Sequence, residues 1–316
     1  MPPIIEIKDL TKKYGVRTAV NDLNLTVNEG DIYGFVGPNG AGKTSTIRVL
    51  CTLMEATSGE VEVAGCSVRT DPRGVRSTIG YMPDFFGVYD DMRVWEYLDF
   101  FGACYRIPAA DRSQLITDLL ELVDLSHRRE DMVDKLSRGM KQRLSLARTL
   151  IHDPRILILD EPASGLDPRA RVEIRELLLE LAKMGKTIFF STHILADVAE
   201  ICTRVGIIEE GKMIATGGIE ELQRLVMPHK QVQITALNTQ EKIAAVLAQQ
   251  EAVSALNFLT PSDERVRVEF TFAGDDAALG NFLAFSVGEG LRVIELKEES
   301  RDLEEVFMRV TKGLVT

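Results

Sequence analysis

The chain has 316 residues, 45% of them hydrophobic and 27% charged. That length suits two ordinary domains or one large one, and the composition excludes disordered, collagen-like and disulfide-scaffold architectures. The 37 basic and 48 acidic residues leave a net charge of −11, without the electrostatic footprint of a nucleic-acid binder, so no nucleic-acid partner is expected.

Ile4–Leu10 alternates as a strand, and Leu23–Val27 and Asp31–Val36 read as further strands, the last entering a Gly-rich turn. Thr44–Leu53 reads as a helix. Helical spacing recurs at Leu115–Val123, Arg143–Ile151 and Arg171–Lys183. Between these, Ile156–Leu159 and Thr187–Phe190 are continuous apolar runs, the mark of parallel strands buried on both faces. The first part is therefore expected to be α/β, with a strand-rich start.

The pattern changes near residue 216. Gly217-Gly218 is read as opening a helical stretch through Val226, stopped by Pro228. Then follow Val232–Ala236 (strand), Thr239–Gln250 (helix), Val253–Leu259 and Val266–Phe272 (strands), Ala277–Val287 (helix) and Leu291–Leu296 (strand). Pro261-Ser262-Asp263 is a turn between the middle strands, and Asp302–Val310 is read as a final amphipathic helix. The order βαββαβ is that of a ferredoxin-like split unit. The boundary is placed near residues 217–230, giving domains 1–220 and 221–316.

Cys51, Cys66, Cys104 and Cys202 form no CxxC pair, so reduced thiols in a cytosolic protein are expected. No apolar run approaches the ~18–20 residues that span a bilayer. Met1-Pro2-Pro3-Ile4-Ile5-Glu6 does not read as a signal peptide. If the protein works at a membrane, another chain is expected to do the spanning.

Gly37-Pro38-Asn39-Gly40-Ala41-Gly42-Lys43-Thr44 is a GxxxxGK[ST] loop between a predicted strand and a predicted helix. Its glycines let the backbone wrap phosphate, and the N–H groups and helix N-terminus favour an anion. Lys43 can reach the β and γ phosphates and the Thr44 hydroxyl can ligate Mg²⁺; Ser45 follows within the same site. In Ile156–Pro162 a buried strand ends in Asp160 and Glu161, at the sheet edge where ligands bind. Asp160 is expected to hold Mg²⁺ and Glu161 to polarise the attacking water. In Leu136–Arg143, Ser137 is a plausible helix N-cap and Gly139 loosens the turn.

These residues together resemble the nucleotide-binding subunit of an ATP-binding-cassette (ABC) transporter, over roughly residues 4–216. The resemblance implies a P-loop NTPase cassette: a RecA-like core with antiparallel β and helical subdomains. Ser137, Arg138, Gly139 and Met140 match the family's Leu-Ser-Gly-Gly-Gln signature, with Arg138 in place of the first Gly and Met140 in place of Gln. Tyr14 falls where the family stacks an aromatic on adenine. Ser164-Gly165-Leu166-Asp167 matches the D-loop at the dimer interface, and His193 the switch histidine at the γ-phosphate. Asp84 stands where the family usually has Gln. It is expected to ligate Mg²⁺ directly or to stay withdrawn until the dimer closes.

Phe85, Phe86, Tyr89 and the Trp95–Phe101 segment concentrate aromatics. They suit either helical-subdomain core or a groove for a partner's helix. The family docks the membrane subunit's coupling helix on the corresponding surface, which points to Phe85, Phe86 and Tyr89.

The resemblance further implies two ATPs sandwiched head to tail, with Ser137 and Gly139 reading the opposing γ-phosphate. One set of motifs then needs a second cassette, identical or paralogous, and a separate transmembrane permease. The chain is expected to lie peripherally on the inner face of the cell membrane. The C-terminal extension looks like that of ABC-2 type exporter ATPases and is expected to stabilise or regulate the dimer, or to sense a ligand. A soluble cassette ATPase in a non-transport process and a non-hydrolysing ATP-binding regulator are the competing readings.

Overall fold

The computed structural model describes residues 3–85, 87, 91–219, 221–222, 229–259 and 265–298. The chain divides into two units, Met1–Ile219 and Glu220–Thr316. The predicted turn at Pro261–Asp263, the stop at Pro228 and the final helix Asp302–Val310 lie outside the described residues, as do Phe86 and Tyr89.

The first unit opens on strands β1 (Pro3–Tyr14) and β2 (Arg17–Asn28). With β4 (Ser58–Val63) and β5 (Cys66–Ser67) they form a sheet of order β2-β1-β4-β5, antiparallel throughout. Alternation along β1 and β2 turns Ile5, Ile7, Leu23, Leu25 and Val27 into a core shared with Ile47 and Phe35.

The second sheet carries the site. It contains β3 (Ile32–Val36), β6 (Ile79–Met82), β7 (Ile156–Asp160), β8 (Thr187–Thr192), β9 (Arg204–Glu209) and β10 (Lys212–Gly218), in the order β10-β9-β3-β8-β7-β6. All neighbours are parallel except β10, which runs back along β9. Every residue of β3, β7 and β8 is buried, which is why those segments read as unbroken apolar runs. Their carboxyl ends lie side by side: Val36 pairs with Thr192, and Asp160 with Ser191.

Helices connect these strands. They are α1 (Lys43–Leu50), α2 (Pro72–Thr78), α3 (Val94–Cys104), α4 (Ala109–Leu122), α5 (Arg138–Leu150), α6 (Pro168–Lys183) and α7 (Leu195–Ile201). Helices α5 and α6 start earlier than their apolar spacing predicts, because caps set the boundary. Ser137 Oγ accepts from Met140 N, and Asp167 Oδ1 accepts from Ala170 N ahead of Pro168. In the aromatic segment, Tyr97 and Leu98 are core while Phe100 stays partly exposed.

One boundary shifts. Gly217 and Gly218 themselves close β10, paired with Val205 and Arg204 of β9, and helical residues follow directly at Ile219, Glu221 and Leu222. The hairpin turns at Glu210 and Gly211, both with positive φ (47° and 81°), as a tight primed turn requires. Glycine expresses no local preference, so cross-strand pairing decided its state.

The second unit comprises β11 (Lys230–Ala236), α8 (Gln240–Leu247), β12 (Val253–Phe258), β13 (Val266–Phe272), α9 (Asp276–Gly288) and β14 (Val293–Glu298). Its sheet runs β12-β13-β11-β14, all neighbours antiparallel. Alternate residues Val232, Ile234, Val268, Phe270 and Phe272 pack with Ile243, Leu247 and Phe282 of the two helices. Lys230 Nζ lies 2.5 Å from Asp276 and 2.6 Å from Glu298, and hydrogen bonds to these two carboxylates raise its pKa.

Candidate functional site

Strand β3 runs straight into the loop that begins at Gly37, and α1 takes over at Lys43. Gly40 and Gly42 adopt left-handed backbones (φ +85° and +110°). A side chain at Gly37 would strike the Ile208 carbonyl, and one at Gly42 the Ala19 carbonyl. Neighbouring strands therefore press on the loop from behind, and only glycine fits there. Within the loop Ala41 N–H donates to the Pro38 carbonyl (3.2 Å). Lys43 is 6% exposed. Its Nζ donates to the carbonyls of Gly37 (2.6 Å) and Pro38 (3.3 Å) and lies 3.3 Å from Glu161 Oε1.

Asp160 ends β7 and is 1% exposed. Its Oδ1 accepts from Ser191 Oγ (2.6 Å) and Thr44 Oγ1 (3.3 Å). Burial pushes its carboxyl above the usual range; these two donors oppose the shift, and the charges of Asp84 and Glu161 add to it.

Glu161 has φ +52°, a left-handed backbone that is sparsely populated outside glycine and is held only where the surroundings over-determine it. Here β8 holds it: Glu161 N–H donates to both the carbonyl (3.2 Å) and the Oγ (3.0 Å) of Ser191. The kink aims the carboxylate between two partners. Oε1 meets Lys43, and Oε2 lies 2.8 Å from His193 Nδ1.

A cleft of about 410 Å³ joins most of the predicted residues. Asn39, Gly40, Gly42, Lys43, Thr44 and Ser45 of the loop line it on one side. Glu161, Ser164, His193 and Asp84 line it on others. Tyr14 stands at its rim, 44% exposed, its hydroxyl 3.2 Å from Ser45 Oγ and 2.8 Å from Met54 Sδ.

The structure does not bring the signature residues into this cleft. Ser137, Arg138, Gly139 and Met140 line a second one of about 220 Å³, with Gly165, Leu166 and Asp167. Leu166 is buried and Asp167 caps α6. Phe85 stands 89% exposed.

Sequence reasoning missed four contributors. The Ser191 hydroxyl makes two bonds that shape Asp160 and Glu161; a hydroxyl within a buried strand is the signal that could have found it. Gln142, 3% exposed, donates to the Pro162 carbonyl just past Glu161 (2.6 Å). Arg17 lines the first cleft. Gly211 N–H donates to the Ala41 carbonyl (2.9 Å), tying the β9–β10 turn to the loop.

A glycine-rich loop after a buried parallel strand, facing carboxylates from the end of the next strand but one, defines a P-loop nucleoside triphosphatase. The ABC transporter family model matches residues 20–164. The bacitracin transport ATP-binding protein BcrA of Bacillus licheniformis is 35% identical over 314 residues, covering 99% of each chain. The Nod factor export ATP-binding protein I of Burkholderia lata is 40% identical over 213 residues, 67% of this chain and 70% of that one. A solved dimeric ATP-binding cassette in a post-hydrolysis state, bound to ADP and Pi, superposes with a TM-score of 0.62 at 25% identity, over 68% of this chain and 98% of that one. The chain belongs to the ABC transporter ATP-binding proteins, and it is an ATP-hydrolysing transporter subunit. Among the described residues no helix is long and apolar enough to cross a membrane.

Proposed function

We propose that ATP binds in the 410 Å³ cleft, with its phosphates on the Gly37–Ser45 loop and its adenine against Tyr14. The observation that carries this is the convergence of Lys43, Glu161 and His193, linked at 3.3 and 2.8 Å, at the ends of adjacent strands. Lys43 exchanges its carbonyl acceptors for phosphate oxygens. Glu161, oriented by His193, takes a proton from the attacking water, and His193 senses the γ-phosphate.

The residues fit Mg²⁺. The Thr44 hydroxyl and the Asp160 carboxylate are hard oxygen donors 3.3 Å apart, and Mg²⁺ commonly takes one or two protein oxygens beside water and phosphate. Bound there, the ion neutralises phosphate charge. Asp84 stands at the same cleft as a third candidate ligand.

Because Ser137–Met140 line a different cleft, they act on the ATP of a second cassette, a copy or a paralogue, with the D-loop residues 164–167 at the dimer interface. ATP that touches both halves favours closure, and hydrolysis releases it. Closure moves a separate transmembrane permease docked at Phe85, Phe86 and Tyr89, on the inner face of the cell membrane. The relative named for Nod factor export supports export as the direction. Residues 1–220 are the cassette. Residues 221–316 are a ferredoxin-like accessory domain that stabilises or regulates the dimer, a reading its strand order supports.

The test is ATP hydrolysis by the purified chain across protein concentration, beside Glu161→Gln. The reading requires a rate that rises faster than linearly, and an inactive mutant that dimerises with ATP. A rate strictly proportional to concentration would defeat the two-cassette site.

A further inference from the structure

The two clefts of the first unit meet at one side chain. Arg138 opens α5 directly after the Ser137 cap. Its Nη2 donates to the Ser164 carbonyl at 3.1 Å. Ser164 itself lines the nucleotide cleft, whereas Arg138 lines the other. The next residue, Gly165, has φ +66°, and a methyl group on it would overlap the carbon and both terminal nitrogens of the Arg138 guanidinium. The flat guanidinium thus covers the Gly165 backbone while its edge holds the preceding carbonyl.

Helix stability does not account for this arginine. A cation in the first turn opposes the positive end of the helix dipole. The neighbouring Arg143 pairs with Asp124 and Glu173, and Arg169 with Glu173, so these two have carboxylate partners. Arg138 donates instead to a main-chain carbonyl. A planar, multi-donor side chain can hold a carbonyl and cover a glycine together; a lysine can do only the first.

We propose that Arg138 is a positioning residue that couples the two clefts within one chain. It holds Ser164 and Gly165 against the Ser137–Met140 turn, so that nucleotide in the cleft lined by Ser164 alters the turn offered to the opposing nucleotide. The inference rests on the reading of that turn as acting on a second cassette's ATP. The coupling itself requires only one chain.

Two measurements on the full-length chain test it. The first is amide hydrogen exchange over residues 137–143 with and without a non-hydrolysable ATP analogue, at a concentration where light scattering reports a monomer. The wild type gains protection in this turn. Arg138→Gly binds the analogue with unchanged affinity, melts at the same temperature and shows no gain, and Arg138→Lys recovers part of it. An unresponsive wild-type turn, or an equal response in Arg138→Gly, overturns the proposal. The second is steady-state hydrolysis. Arg138→Gly lowers kcat by about 2- to 30-fold, the range of single-residue coupling effects. The penalty of Gly165→Ala on kcat is smaller in the Arg138→Gly background, where the overlap is gone. Additive losses overturn the contact's role. If the wild-type chain alone does not turn over, it needs a paralogue or its membrane subunit to complete the site, and the exchange result still decides the coupling.

Discussion

Lys43 Nζ and Glu161 Oε1 lie 3.3 Å apart, the one 6% and the other 9% exposed. The residue expected to meet phosphate is therefore paired with the one expected to meet water. Lys43→Met keeps most of the buried stem and removes the charge. Affinity for ATP should fall by about 1.5–3 kcal/mol, the worth of a hydrogen bond to a charged group. Titration with a fluorescent ATP analogue measures this, and an unchanged affinity would show that Lys43 stays with Glu161 when nucleotide binds.

The left-handed backbone of Glu161 separates two inactive variants by stability. Glu161→Ala keeps the steric cost of a Cβ at φ +52°, about 1–2 kcal/mol. Glu161→Gly removes it but gains unfolded-chain entropy of about 0.4–1 kcal/mol. Glu161→Gly should therefore have a urea midpoint no lower than that of Glu161→Ala. A clearly lower midpoint would mean that the position carries no strain.

The buried carboxyl of Asp160 titrates above its ordinary range. The folded state then holds this proton more firmly than the unfolded one, so stability falls as pH rises through the folded pKa. Asp160→Asn should be more stable than wild type near pH 7, and the advantage should shrink as pH drops into the carboxylate range. Urea unfolding of both proteins at several pH values checks the sign. Turnover should be lost, because Asn is a poorer ligand for a hard cation.

Ser191 is fully buried and links both carboxylate residues. Ser191→Ala leaves the Glu161 N–H with one acceptor fewer and Asp160 without its closest donor. The expected cost is about 1–3 kcal/mol of stability, together with reduced turnover, as the kink at Glu161 loosens. Equal turnover and stability would remove Ser191 from the site.

The parts of this site that could be read in the sequence are those written contiguously. The Gly37–Thr44 loop and the Ile156–Glu161 strand end are single segments whose residue types and spacing state their chemistry. What escaped the sequence is carried by contacts between distant segments. Ser191 reaches the Asp160–Glu161 pair from the adjacent strand. Arg138 reaches Ser164 from the preceding helix, and Gln142 reaches Pro162 from one turn further along it. The positive φ of Glu161 has no local marker, since glutamate seldom adopts it. Fold legibility followed the same division. The buried strands announced themselves through unbroken apolar runs, whereas the pairing of Gly217 and Gly218 with β9, made by residues with no side chains to read, displaced the start of the expected helix.

The turn at Gly211 has a consequence for synthesis. It braces the phosphate loop through Ala41, and β9 flanks the strand from which that loop springs. A ribosome making this chain releases the glycine-rich loop early and the β9–β10 support only at the end of the cassette. Domains generally fold as units, so the nascent cassette cannot hold nucleotide until the β9–β10 hairpin has emerged. Any cell that needs this subunit must finish the whole cassette before ATP can help to stabilise it.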